Sequence, residues 1–105
     1  MTLPRHLLIV DVMVDPSVED DWNVWYDSQH LPEILNCPGV LSGARYRAQG
    51  DDDAARYVTV YELDSPQAMH SDAFKARRGW GRFQPHVRFT TACFQRLDAE
   101  ADNGR

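Results

Sequence analysis

An α+β domain is the architecture this sequence predicts: one four-stranded antiparallel sheet, two helices on one face, and the element order β-α-β-β-α-β. Three observations predict it. The chain has 105 residues, room for a single hydrophobic core. Four runs are rich in β-branched and aromatic residues, and two stretches with helix-start signals fall after the first run and after the third.

The first run, His6 to Val14, is dense in Leu, Ile and Val and stops at Asp15-Pro16, which reads as a buried strand closed by a turn. Ser17-Val18-Glu19-Asp20 resembles a capping box with acidic residues in the first turn, so a helix is expected from about Ser17 toward His30. Pro32 lacks a donor and disfavours the α conformation at Leu31, so the regular helix should end or kink there, with Pro38-Gly39 as a definite break. Val40 to Ala48 and Arg56 to Leu63 read as a hairpin whose polar tip, 49–55, contains Gly50-Asp51-Asp52-Asp53. Ser65 is a good cap residue ahead of Pro66, so a second helix should run to about Arg78, where Gly79 and Gly81 end it. Pro85 opens a last strand from His86 to Leu97. This order is that of the ferredoxin-like split βαβ motif. Residues 1–97 form the expected domain, and 98–105, with little to bury, form a flexible tail.

Two strands carry apolar bulk on both faces. The first sets Leu8, Val10, Val12 and Val14 against Leu7, Ile9 and Met13; the last sets Val87, Phe89, Cys93 and Leu97 against Ala92 and Phe94. Two helices cover only one face, so a second copy of the same sheet is the simplest cover for the other, and a homodimer is expected.

Charge and composition narrow the function classes. The net charge of -5 argues against nucleic acid and against an anionic membrane surface, because both recruit clustered Lys and Arg. The apolar run Leu7 to Val10 is too short for a signal segment, and a cytoplasmic location is expected. Cys37 and Cys93 are too few for a disulfide framework and read as free thiols without catalytic surroundings.

The stretch Trp22-Asn23-Val24-Trp25-Tyr26-Asp27-Ser28-Gln29-His30-Leu31-Pro32-Glu33, followed by Pro38-Gly39-Val40 and Ala44-Arg45-Tyr46, resembles the pattern of small dimeric α+β barrel proteins. It is similar to EthD-type domains and to antibiotic-biosynthesis-monooxygenase-like proteins. Tyr57 to Leu63 and the aromatic end from Phe83 to Phe94 also fit, so the likeness covers about residues 5 to 97. The superfamily holds cofactor-free monooxygenases of quinone-forming pathways, lactone isomerases, polyketide cyclases, dehydratases, decarboxylases and haem-degrading enzymes, so it implies a fold more than a reaction. It also implies a pocket between sheet and helices, with a His near the end of the first helix often lining it. His30 matches that position.

His30 is the leading acid/base candidate, because an imidazole titrates nearest working pH. The helix end would favour the imidazolium and an apolar pocket the neutral ring; a purely capping role stays open beside the catalytic one. Tyr26 offers a hydroxyl to orient a carbonyl or phenol oxygen. On a helical wheel Val18, Trp22, Trp25 and Tyr26 share a face, with Val24, Leu31 and Leu35 as a second stripe, and Trp22 and Trp25 could grip a flat ligand. Asp11 interrupts a central strand and needs a partner such as Arg45; a raised pKa would make it a second base. Tyr46, Tyr61, Trp80 and His86 complete the candidate pocket. Glu33 follows His30 across Pro32, and His6, His70 and His86 form no ligand-spaced cluster, so no metal is expected. No phosphate loop or dinucleotide fingerprint is present and no cofactor is expected; haem stays open, since one axial His suffices.

The expectation is a cofactor-independent enzyme of the isomerase, cyclase, dehydratase or lyase type, acting through His-based proton transfer on an apolar aromatic, polyketide-like or terpenoid-like carbonyl compound. A cofactor-free monooxygenase and a non-catalytic dimeric ligand-binding module are the alternatives.

Overall fold

The computed structural model describes residues 3–50 and 55–97. Residues 51–54 of the predicted hairpin tip and the predicted tail at 98–105 lie outside the described residues.

Four strands form one antiparallel sheet: β1 (His6–Val14), β2 (Val40–Arg47), β3 (Arg56–Leu63) and β4 (Val87–Gln95), in the order β2-β3-β1-β4. With the helices it is the ferredoxin-like α+β fold. Period-two alternation decides the faces of β1 and β3: Leu8, Val10, Val12 and Val14, with Tyr57, Thr59, Tyr61 and Leu63, are buried beneath the helices. Leu7, Ile9, Val58 and Val60 point to the other face, where Tyr46 and Phe94 stand 58% and 52% exposed.

In β2 the alternation is broken. A bulge between Val40 and Ser42 inserts Leu41, so Val40 pairs with Leu63 and Ser42 with Glu62. An extra residue shifts everything after it to the opposite face. Gly43 and Arg45 therefore stand beside Tyr61 and Thr59 on the helix side, and Tyr46 joins Val58 on the outer side.

The helix start lies two residues before the predicted cap. Asp15, not Ser17, accepts a backbone hydrogen bond, from the Ser17 N–H at 3.1 Å, and Pro16 opens a 3₁₀ turn over Pro16–Val18. α1 (Glu19–Trp25) then runs into a π turn over Tyr26–His30 and on into α2 (Leu31–Leu35). The helix does not stop at Pro32; the expected departure from regular α geometry comes just before it, in the π turn. Proline disrupts a helix by lacking a donor and crowding the carbonyl four residues back. Here the Leu31 N–H already reaches back five residues to the Tyr26 carbonyl, and in the wider turn the chain passes Pro32 without leaving the αR region. The π turn also rotates the face: Val24, predicted on an apolar stripe, is exposed, whereas Leu31 and Leu35 pack on the core.

The second predicted helix is two pieces. Pro66–His70 is a 3₁₀ turn capped by Ser65, and α3 (Asp72–Arg77) is capped by Ser71, whose Oγ accepts the Phe74 N–H at 3.0 Å. Ser71 is extended, so the second cap breaks the run. A 3₁₀ turn over Gly81–His86 replaces the predicted start of the last strand.

Candidate active site

The π turn builds the site. Residues five apart in an α-helix stand well apart around its axis, but a turn closed by an i→i+5 bond stacks them. Trp25 and His30 are such a pair: their rings lie nearly parallel, 12° apart in plane with centroids at 4.7 Å. Tyr26 meets the same imidazole edge-on at 4.9 Å, and Trp80 approaches it at 5.6 Å. Trp80 sits between Gly79 and Gly81, whose φ values of 106° and 53° are ones an L-residue adopts poorly, so the sharp loop carrying the indole inward depends on both glycines.

His30 borders a cavity of about 380 Å³ between the helices and the sheet, with Tyr26, Tyr61, Trp80 and Phe89 among its walls. The residue is 5% exposed. Among the described residues no hydrogen bond involves either ring nitrogen; His30 immediately precedes α2, but its side chain makes no cap hydrogen bond and the helix continues past it to Leu35. Burial, aided by the charge of Arg45, lowers its pKa to about 4. The ring is neutral at neutral pH; of the two opposed influences, the apolar pocket wins because no helix end is at hand.

A hydroxyl chain lies beside it. Thr59 Oγ1 donates to the Tyr26 hydroxyl at 2.9 Å, and the Tyr26 and Tyr61 hydroxyls are 3.3 Å apart, all three residues being buried. Burial raises both phenols above their ordinary range, so each remains a neutral donor. The bond between the two phenols can run in either direction, so one phenol proton is spent on it and the other is left over; when Tyr26 donates to Tyr61, the Tyr61 proton is left for the cavity. Gly43 makes room for that ring: a Cβ there would stand 2.7 Å from Tyr61 Cδ1.

Arg45 underlies this group. Its guanidinium binds Asp27 Oδ1 and Asn23 Oδ1, each at 2.6 Å, and lies over the rings of Tyr26 at 4.3 Å and Trp22 at 5.0 Å. A cation held against π faces and only 11% exposed is a fixed charge behind the site. Sequence reasoning gave Arg45 a different partner and passed over Thr59, which reads as an ordinary strand residue between two tyrosines.

The predicted site residues divide. His30, Tyr26, Tyr61 and Trp80 converge on the cavity, and Trp25 supports His30 from behind. Trp22 does not reach the cavity; it is fully buried against Tyr26, Tyr57 and Trp80. Asp11 is on the outer face, paired with Arg56 through bonds of 3.1 and 2.8 Å and not with Arg45, and this pairing lowers its pKa instead of raising it. Tyr46 is on that outer face too. His86 is at the far end of β1, 3.6 Å from the Asp15 carboxylate. Burial raises both thiols, Cys37 and Cys93, which disfavours the nucleophilic thiolate. Among the described residues no group of three or more His, Cys, Asp or Glu side chains converges, and no helix is long and apolar enough to cross a membrane.

The sequence matches the family described as Domain of unknown function (DUF4286) over residues 5–101. No curated protein matches it. Among solved structures, a putative antibiotic biosynthesis monooxygenase from Bordetella bronchiseptica superposes with a TM-score of 0.68 at 17% identity, covering 90% of this chain and 99% of that one. An ethyl tert-butyl ether D (EthD) family protein from Bacillus halodurans gives 0.62 at 17%, covering 83% and 96%. A dimeric ferredoxin-like protein from an uncultured marine organism gives 0.62 at 13%, covering 90% and 97%. These likenesses establish the fold and agree with the barrel resemblance carried by the His30 motif.

Proposed function

The chain belongs to the DUF4286 family, and we propose that it is a homodimeric, cofactor-independent enzyme in which His30 removes a proton from carbon beside a carbonyl of an apolar, ring-bearing substrate. The observation that carries this reading is a neutral, unpartnered imidazole bordering an apolar cavity alongside the Tyr61 hydroxyl. In the step, the C–H bond breaks, the proton passes to an imidazole nitrogen, and the electron pair moves to the carbonyl oxygen, which accepts a hydrogen bond from Tyr61. Return of the proton to another atom completes an isomerisation; where a hydroxyl stands on the next carbon, the enolate pair forms the C=C bond, the C–O bond breaks and the imidazolium protonates the leaving oxygen, so that water departs and the dehydration is complete. A base with a pKa of about 4 is weak in the empty site. The developing enolate supplies the negative charge that stabilises the imidazolium, so the base strengthens as the reaction proceeds.

The dimer would form through the outer sheet face, where Leu7, Ile9, Val58 and Val60 surround the Asp11–Arg56 pair. One solved relative of this fold is described as dimeric. The same proton removal would also open a cofactor-free oxygenation, in which the carbanion pair reduces dioxygen to a carbon-bound peroxide that takes the imidazolium proton and then loses water to leave a new carbonyl; the description of the Bordetella relative favours this second reading.

The test is deuterium exchange at C1 of 2-tetralone in D₂O, followed by NMR, with oxygen uptake recorded in parallel. Wild type should exchange faster than buffer. His30→Gln should lose about 10²- to 10⁴-fold, and Tyr61→Phe less. The limb of kcat/KM should fall near pH 4, not near 6.5. Equal exchange by wild type and His30→Gln overturns the assignment, and stoichiometric oxygen uptake selects the oxygenase.

A further inference from the structure

The cavity has a charge asymmetry that the proton-transfer reading does not use. The sequence holds 16 acidic and 11 basic side chains, and on the helix side of the sheet Arg45 binds Asp27 and Arg77 binds Glu33. Among the described residues neither Lys75 nor Arg78 has an ion pair, yet both border the cavity, and no Asp or Glu does. Lys75 is on α3 and Arg78 follows its last residue, so their spacing of three sets them on one side of that turn. Both are exposed, which puts their charges at the open side of the cavity, while Trp80 and the core side chains wall its inside.

We propose that the cavity takes an amphipathic carboxylate, with its apolar ring body against Trp80 and Phe89 and its carboxylate at the mouth between Lys75 and Arg78. This rests on the cavity being the ligand site argued above and narrows its substrate class. Two like charges flanking a low-dielectric cleft focus a positive potential there even though the whole chain is negative, and that potential both draws in an anion and fixes which end enters first. A neutral polyketide or terpenoid would leave the two cations without a role. A carboxylate held at the mouth also adds negative charge on the cavity side of His30, opposing the effect of Arg45 and favouring the imidazolium that proton removal produces.

The experiment compares 1-naphthaleneacetate with its neutral isostere 1-naphthaleneacetamide. Calorimetry and tryptophan fluorescence are read on wild type, Lys75→Gln/Arg78→Gln, Lys75→Glu/Arg78→Glu and His30→Gln, at low and high ionic strength. Wild type should bind the acid about tenfold more tightly than the amide at low salt, and less selectively at high salt. The double Gln variant should bind both alike, with amide affinity unchanged, and the double Glu variant should prefer the amide. Both substitute exposed residues, and circular dichroism checks their folds. Equal binding of acid and amide by wild type, a preference that survives in the double Gln variant, or no saturable binding of either probe overturns the proposal. His30→Gln should keep the preference. If it keeps the preference and also exchanges 2-tetralone at the wild-type rate, the base assignment falls and the carboxylate site stands.

Discussion

The neutrality of His30 makes a stability prediction that needs no substrate. In the folded protein its pKa is about 4 against an ordinary 6.5, with burial the first cause and Arg45 the second. Between those two values the unfolded chain binds the proton and the folded chain does not, so stability falls as pH drops from 6.5 toward 4. The full difference is worth about 3 kcal/mol, and about 2 kcal/mol of it should be lost between pH 7 and pH 5. That window lies above the titration of ordinary carboxylates, and the lowered values of Asp11 and Asp15 put their own loss of stability lower still. Urea unfolding at fixed protein concentration, repeated across pH, should give wild type a slope in this window that His30→Gln and His30→Phe lack. Two replacements of different polarity guard against a packing artefact. Parallel pH profiles for wild type and both variants would refute a buried neutral imidazole, and with it the electrostatic picture of the site.

Arg45→Met should raise the His30 pKa from about 4 without restoring 6.5, because burial is the larger cause; NMR titration of the imidazole measures it, and an unchanged value would remove Arg45 from the site's electrostatics. Gly43→Ala should cost about 1–3 kcal/mol by overpacking and displace the Tyr61 ring, since the new Cβ would stand 2.7 Å from Cδ1. Thermal unfolding with 2-tetralone exchange reads both effects, and a neutral result on both would mean that Tyr61 has room to move. Ile9→Asp buries a charge in the proposed interface while leaving the helix side of β1 untouched; sedimentation should show a folded monomer where wild type sediments at twice the chain mass, and a wild-type monomer refutes the interface.

β1 and β3 were legible because their burial is periodic. Both begin and end where the sequence predicts, since each alternates under the helices and is bounded by turn chemistry. The helices were less so, because their ends depend on which of several eligible side chains takes the cap. Asp15 outcompeted Ser17, and Ser71 interrupted a run that began correctly at Ser65. On the site, His30, Tyr26, Tyr61 and Trp80 were found by residue type and position. Asp11 was legible as a carboxylate needing a cation, but the choice between Arg45 and Arg56 depends on strand faces that spacing alone does not give.

Two single-residue irregularities account for what the pattern hid, and both bear on the same few side chains. A strict alternation from buried Val40 would have turned Tyr46 inward and Arg45 outward; the bulge at Leu41 reverses them and delivers a cation to the underside of Tyr26. A regular α-helix from Glu19 would have set His30 away from Trp25; the π turn brings the two rings into a stack and holds the imidazole at the cavity. Each irregularity forfeits regular backbone pairing, and neither is required to close a four-stranded sheet under two helices. Their common result is a fixed positive charge behind a neutral base, with the Tyr26 ring between them. Regular elements would have made the same fold without that arrangement, so the departures from regularity are where the chain commits its structure to chemistry.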